Sequence, residues 1–453
     1  MASVIADFKI GQDQIRVLRL GSAFENLTFK DNKGSTIVFD SGQAIAELQG
    51  VRASRLKADS FLFGDAQLAK TLQANLNQSL ADNPNATGLA GAVFAPDGSV
   101  WQGFAGLANR ETGAPVDANS IFGVGSFTKP IVATTVLQLY EEGKLNLSDT
   151  LSQWLPDLSK NIANADRVTI RQLLGHTGGV QDYLVQPEAR AQFFDDPKAF
   201  FNRTASPQEL LSYIQGKPAL AEPGATFSYS NSDYVLLGQI VEKVTGSTLA
   251  SQLRSRIFEP LGLSQTFYAP QEAVSHGNLT RTYVDFNGDG KITTADYLNE
   301  VDEVSKKGLT WAGAAGGVVS TASEHAKMGQ ALFQGELLSP ATLQLMINDN
   351  TDLFKAAGLP PGSAPGGRES SFYGLGVESI SLTGIGKLLG HNGATIGWGS
   401  EFAYLPDRNI TVSVLASQPT ATGRSELEDS ALIAITKNIR STVKQYPSIG
   451  SAA

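Results

Sequence analysis

Gly123-Val124-Gly125-Ser126-Phe127-Thr128-Lys129-Pro130 stands at the head of an apolar-periodic run whose spacing predicts a helix over 131–145. Ser126 and Lys129 lie three residues apart, so a helix places hydroxyl and amine on one face, one turn apart. A serine that opens a helix sits among backbone N–H groups without intrahelical partners, at the positive end of the dipole. Such a hydroxyl is open to deprotonation by a neighbour, and its own N–H is placed to hold an oxyanion. The same spacing recurs at Ser54/Lys57 and Ser441/Lys444, but only Ser126 has glycines before it and a long amphipathic helix after it. The competing reading of Ser126 is an ordinary N-cap serine.

Outward from this turn, a helical segment over 66–80 leads into the apolar run Leu89-Ala90-Gly91-Ala92-Val93-Phe94-Ala95. Pro96-Asp97-Gly98 and a second β run, Val100 onward, complete a predicted hairpin. The middle of the chain predicts helices at 131–145, 170–174, 234–244, 249–258 and 322–332. Strands return at 387–390, 400–405 and 410–415, and a last helix is expected over 426–443. This order predicts an α/β fold: an antiparallel sheet built from both chain ends, with flanking helices and an inserted helical region, over 65–453. Residues 1–64 read as a separate small β-rich module, with short β runs at 15–18 and 36–39 split by turn signals. Its end, Gly50-Val51-Arg52-Ala53-Ser54 and Ala58-Asp59-Ser60-Phe61-Leu62-Phe63-Gly64, resembles the β tail segments of RTX-type calcium-binding proteins; a packing or oligomerisation appendage is the plainer reading. Residues 355–367, rich in Gly, Pro and Ala, predict a surface loop.

Two further elements carry chemistry. Pro223-Gly224-Ala225-Thr226-Phe227-Ser228-Tyr229-Ser230-Asn231 is a turn followed by Tyr-x-Asn, which projects a phenol and an amide from a loop; Tyr297/Asn299 has the same spacing without the turn. Gly390-His391-Asn392-Gly393-Ala394 follows the strand-like Lys387-Leu388-Leu389, and glycines beside a strand-borne histidine let a substrate backbone lie along the edge. Taken alone, Tyr229 reads equally as a buried tyrosine with a bonded hydroxyl, and His391 as a structural histidine.

In this order and with these flanks, the three elements resemble the serine β-lactamase and penicillin-binding superfamily, nearest to its class C β-lactamase and D-alanyl-D-alanine carboxypeptidase branch. Leu173-Leu174-Gly175-His176-Thr177-Gly178-Gly179, Asn231-Ser232-Asp233-Tyr234, Pro260-Leu261-Gly262-Leu263 and Ala315-Gly316-Gly317-Val318-Val319 extend the resemblance over about 68–440. It implies Ser126 as nucleophile, Lys129 as proton acceptor and electrostatic partner, and Tyr229 as general base that returns the proton to the leaving group. It implies Asn231 as a group orienting Lys129 and the substrate amide, and His391 in the place of the lysine of a Lys-Thr-Gly triplet. Oxyanion donors would be the N–H groups of Ser126 and Ala394, with Asn392 and Gly393 on the substrate edge. The implied reaction is acyl transfer through an acyl-enzyme on a small-molecule or peptide substrate. A D,D-carboxypeptidase-like or D-amino-acid-specific peptidase is expected, with esterase, class C-like β-lactamase and a non-turnover penicillin sensor as alternatives. Asn392 stands where the carboxypeptidases commonly have Thr, and Arg368 is the one candidate for binding a substrate carboxylate. The resemblance also implies an extracytoplasmic location.

Asp285-Phe286-Asn287-Gly288-Asp289-Gly290-Lys291-Ile292-Thr293-Thr294-Ala295-Asp296 has EF-hand spacing: oxygen ligands at positions 1, 3, 5 and 12, glycine at 6, and the Lys291 carbonyl at 7. The aspartate at position 12 resembles dockerin-type loops. A structural Ca2+ is the expected cofactor, held by Asp285, Asn287, Asp289, Lys291 and Asp296, in an insertion at about 280–310. An Asx-rich turn is the alternative.

Composition narrows the rest. With no Cys, thiolate nucleophiles, disulfides and Cys-ligated zinc are excluded. The net charge of −9 without a Lys/Arg cluster argues against nucleic acid and anionic membrane surfaces. No apolar run reaches the roughly 18 residues that span a bilayer, and the first 17 residues lack the basic and apolar regions of a secretory signal. There is no Gly-x-Ser-x-Gly elbow and no His-Glu-x-x-His, and the four histidines (His176, His276, His325, His391) are scattered.

Overall fold

Three strands in the middle of the main sheet are buried on both faces: β1 (Gly88–Phe94), an apolar run, and β7 (Trp398–Leu405) and β8 (Ile410–Ser417), which also bury Ser400, Thr411 and Ser413. The structure is a computed structural model. It describes residues 3–10, 12–13, 15–17, 27–40, 42–57, 60–63, 66–83, 85–94, 100–195, 203–274, 278–283, 307–349, 368–382, 384–395, 397–417, 432 and 435–437. β1 pairs antiparallel with β8 from Gly88↔Ser417 to Phe94↔Thr411, and on its other edge with β2 (Val100–Asn109). Beyond β7 the sheet continues through β5 (Gly386–Gly390), β4 (Glu378–Leu382) and β3 (Arg368–Tyr373), while the short β6 (Gly393–Thr395) pairs with β7. The expected antiparallel sheet from both chain ends is therefore the observed one, with the turn 95–99 outside the described residues.

Because successive residues of a strand face opposite ways, the central strands feed two cores. Leu89, Val93, Val412 and Val414 pack with Leu72 and Leu76 of α1 (Ala66–Ala81). Ala90, Ala92 and Leu415 belong to the larger core, which contains α2 (Thr128–Glu141), α3 (Asn231–Thr245) and α4 (Ala322–Phe333). α4 presses close to the sheet: a Cβ on Gly329 would lie 1.9 Å from the Phe402 ring.

The N-terminal residues form their own strands. Ser3–Ile5, Gln43–Gln49, Ser35–Asp40 and Leu27–Asn32 make one sheet, and Ile15–Val17 pairs with Phe61–Phe63. They share a separate apolar cluster containing Val38, Leu48, Leu56 and Phe61.

Two helices differ markedly from the sequence reading. α2 starts at Thr128 and ends at Glu141, because Thr128 and Lys129 are buried and Gly143, at φ +68°, turns the chain before Leu145. The helix expected over 249–258 is α-helical only over Leu249–Leu253 and becomes a π-helix over Arg254–Phe258. Of the terminal helix at 426–443 only 432 and 435–437 are described, and these are helical. The calcium-type loop, Asp285 to Asp296, and the loop at 355–367 lie outside the described residues.

Candidate active site

The turn before α2 is built on a glycine that no other residue replaces cheaply. Strand Ser120–Gly123, paired with Val318–Ser320, delivers the chain to a 3-10 turn at Gly125–Phe127. Gly125 has φ +50°, and a Cβ there would sit 2.6 Å from the Ala394 nitrogen. A Cβ on Gly393 would come within 2.8 Å of the Ser126 nitrogen and 2.0 Å of the Val124 oxygen. Two glycines thus let β6 lie directly against the Ser126 turn, and Ser400 Oγ ties the pair by donating to the Val124 carbonyl at 2.8 Å. The backbone nitrogens of Ser126 and Ala394 are brought together as the oxyanion expectation requires. Ala394 is exposed and Ser126 half-buried, so this corner opens to solvent.

Lys129 follows one turn later with no solvent exposure. Its Nζ lies 3.0 Å from Ser126 Oγ, 2.9 Å from Asn231 Oδ1 and 2.8 Å from the Ala315 carbonyl. It also stands 4.7 Å from the centre of the Tyr229 ring, over its π-face. Burial lowers its pKa to about 7, against the fields of Asp182, Asp233 and Glu378, which raise it. The ammonium satisfies all three neighbours with its three hydrogens. The neutral amine satisfies them equally, donating to the two carbonyl-type oxygens and accepting from Ser126 Oγ–H.

Tyr229 and Asn231 arrive on a loop stapled to the segment after Leu174. Gly224 N donates to the Thr177 carbonyl at 2.7 Å, Ser228 N to the His176 carbonyl at 2.8 Å, and Ser230 Oγ to the Gln181 carbonyl at 3.1 Å. His176 (φ +54°) packs its ring, tilted by 42°, 4.4 Å from that of Tyr229, and its Nδ1 accepts from Ser230 N at 3.2 Å and faces Asp233 Oδ2 at 2.8 Å. Burial pushes the His176 pKa well down and the Asp233 carboxyl well up. Ser126 lowers and burial raises the pKa of the Tyr229 phenol, and burial wins, pushing it far above the usual range. At neutral pH it is a proton donor rather than a phenolate.

His391 ends β5's extension, almost fully buried. Its Nδ1–H donates to the Asn392 carbonyl, so Nε2 accepts from the Tyr373 hydroxyl at 3.1 Å. Burial first, and Lys129 second, lower its pKa to about 3. A neutral imidazole therefore stands where the resemblance implies a lysine. Asn392 is half-buried beside it.

Hydrogen bonds join Lys129 to Ser126 and to Asn231, the Lys129 Nζ lies over the Tyr229 ring, and Gly393 and Ala394 lie against the Ser126 turn; His391 is hydrogen-bonded to Tyr373. Arg368 opens β3, five residues and about 16 Å of strand from Tyr373. Sequence reasoning missed Asp182, which accepts from Asn231 Nδ2 at 2.9 Å, as well as Tyr373, Glu378 and the His176–Asp233 pair. The quoted Leu173–Gly179 motif stopped three residues short of Asp182. Among the described residues no group of three or more His, Asp or Glu side chains is arranged to hold a metal ion, and no helix is long and apolar enough to cross a membrane.

The comparisons agree with this geometry. The Beta-lactamase family model matches residues 72–436. A putative penicillin-binding protein PbpX from Bacillus subtilis (strain 168) is 26% identical over 322 residues, covering 70% of this chain and 69% of the relative. Esterase EstB from Burkholderia gladioli is 32% identical over 228 residues, covering 49% of this chain and 56% of its own. A D-stereospecific amidohydrolase from Streptomyces sp. superposes with a TM-score of 0.65 at 25% identity, over 80% of this chain and 98% of that one. With the Ser126–Lys129 turn held against β6, and the family model running from α1 past β8, the chain belongs to the Beta-lactamase family, within the serine hydrolase superfamily that shares the β-lactamase and transpeptidase fold.

Proposed function

We propose that this protein hydrolyses amides or esters through an acyl-enzyme on Ser126, with Lys129 as the base, and that its substrates are D-configured and carry no free carboxylate on the leaving side. The observation that carries the proposal is the position of Lys129 Nζ, buried and 3.0 Å from Ser126 Oγ, with a pKa of about 7. At neutral pH much of it is the free amine, which accepts the Ser126 proton as Oγ attacks the carbonyl carbon. The negative charge that forms on the carbonyl oxygen is held by the Ser126 and Ala394 N–H groups. The C–N or C–O bond then breaks, and the leaving group takes a proton from the Tyr229 hydroxyl, which is refilled from Lys129. Water deacylates by the same path in reverse. Tyr229 is thus assigned the donor's part, because burial keeps its phenol protonated.

The substrate preference rests on charge. His391 is neutral, and the carboxylates of Asp182 and Glu378 both act on Lys129, so a substrate carboxylate at this edge would meet negative charge where the lysine of a Lys-Thr-Gly triplet would offer a cation. The D-stereospecific amidohydrolase relative supports the choice of D-amides over D-Ala-D-Ala, and the esterase relative supports tolerance of an ester leaving group.

A hydrolysis panel tests this reading: a D-amino-acid amide, a D-Ala-D-Ala peptide, a chromogenic cephalosporin and a short-chain p-nitrophenyl ester. The amide or ester should turn over faster than the carboxylate-terminated peptide. A D-Ala-D-Ala peptide that outruns both would restore the carboxypeptidase reading, and stoichiometric acylation by penicillin with no turnover of any substrate would make the protein a sensor.

A further inference from the structure

We infer that Asp182 is a positioning residue for the nucleophile: it fixes the orientation of the Asn231 amide, which in turn directs the Lys129 lone pair at Ser126. This rests on the proposed role of Lys129 as base.

Asp182 lies on the loop after Gly179, almost fully buried. Its contacts all require an acceptor. Oδ2 takes the Asn231 Nδ2–H at 2.9 Å and Oδ1 takes the Leu184 N–H at 3.0 Å. A carboxylate fits that environment, since an acid proton would have to point at a donor. Burial raises its pKa, but these bonds and Lys129 act in the opposite sense.

The two ends of an asparagine amide have nearly the same shape, so only its partners decide which end faces which way. Here the partners are a carboxylate on one side and the Lys129 nitrogen on the other. Nδ2 toward Asp182 and Oδ1 toward Lys129 satisfies both. The reversed amide would set an oxygen against the carboxylate and N–H groups against the amine.

The consequence falls on Lys129. Two of its three neighbours, Asn231 Oδ1 and the Ala315 carbonyl, are acceptors only. A neutral amine has two hydrogens, and these two oxygens take both. The lone pair then has one remaining direction, toward Ser126 Oγ 3.0 Å away. If the Asn231 amide turned over, its Nδ2–H would compete for that lone pair and the base would point away from the serine. The same loop is held in place independently of Asp182, by Ser230 Oγ on the Gln181 carbonyl and by Ser232 Oγ accepting from Tyr183 N at 3.0 Å. The carboxylate is therefore not needed merely to close the loop.

The test uses the full chain with Asp182→Asn, which keeps the shape and removes the acceptor-only character and the charge. Asp182→Ser, which leaves room for a water, is the second variant if the first does not fold. Each is measured for melting temperature, for kcat and KM on the best substrate of the panel, and for the pH profile of kcat/KM. The expected result is a kcat lower by about 10–100-fold with KM changed less than threefold, as for loss of alignment rather than of binding. The acid limb should move to lower pH by about half to one unit, since removing a negative neighbour makes the Lys129 proton easier to lose. In an Asn231→Ala background the same Asp182 change should cost little further, because its effect passes through that amide. A variant that only lowers the melting temperature, with kcat and the acid limb unmoved, overturns the inference, as does a full additional loss in the Asn231→Ala background. The parallel Ser126→Ala control keeps the failures apart: acylation that survives it removes the proposed reaction, whereas acylation that needs Ser126 but ignores Asp182 removes only the positioning role.

Discussion

The acid limb of the rate profile follows from the burial of one amine. Lys129 has no exposed surface, and leaving water lowers its pKa from 10.5 to about 7. That shift corresponds to about 5 kcal/mol of preference for the free amine. The sign follows directly: above the limb the amine is free to take the Ser126 proton, and below it the ammonium is not. Acylation measured as kcat/KM on a p-nitrophenyl ester should therefore be level above about pH 8 and fall tenfold per unit below about pH 7, reaching about 1% of its plateau near pH 5. Other groups facing the site should not produce this limb. Burial lowers the pKa of His391 to about 3 and that of His176 well below its ordinary value, and pushes the Tyr229 phenol upward. The Asp182 carboxyl is raised by burial and would add a further decline on the acid side. Lys129→Arg checks the assignment, because a guanidinium does not deprotonate in a protein: acylation should fall by about 10²–10⁴-fold and the limb near pH 7 should vanish. A rate level from pH 5 to 8 in the parent, or a limb that persists in Lys129→Arg, would refute the reasoning.

The same geometry fixes other outcomes. Tyr229→Phe should keep the ring contact with His176 and the melting temperature while lowering kcat by about 10²–10⁴-fold, read in steady-state assays. Gly125→Ala should lower kcat by at least the roughly 10²–10³-fold typical of losing one oxyanion donor, because its methyl would meet the Ala394 nitrogen and force a positive φ on alanine; a circular dichroism melt checks that the fold survives. The EF-hand spacing from Asp285 to Asp296 leads us to propose that Ca2+ raises the melting temperature, by the equivalent of about 2.7 kcal/mol at a hundredfold excess over Kd. Asp289→Ala should abolish the shift between Ca2+ and chelator in differential scanning fluorimetry.

What could be read from the sequence divides by range. Ser126 and Lys129 meet because they are one helical turn apart, a local relation that spacing alone states. Of the central strands β1 was legible as an apolar run because both its faces are covered, whereas the equally buried β7 and β8 are interrupted by Ser400, Glu401, Thr411 and Ser413. Asp182 was not legible: its partner Asn231 lies 49 residues on, and nothing before the loops fold marks that aspartate among many. His391 was marked by position but not by charge, since its neutrality comes from burial and from the field of Lys129, supplied by a distant part of the chain. The start of α2 was misplaced for a related reason. Thr128 and Lys129 look like surface residues in the sequence but are buried, and Val318 N donates to Thr128 Oγ1 at 3.0 Å.

The central claim is covalent chemistry at Ser126, and intact-mass spectrometry of the protein treated with a fluorophosphonate or penicillin tests it most directly. One phosphonyl or acyl mass should appear, map to the peptide carrying Ser126, and be absent from Ser126→Ala. Labelling of equal extent in Ser126→Ala, or a label mapped to another residue, would contradict the account.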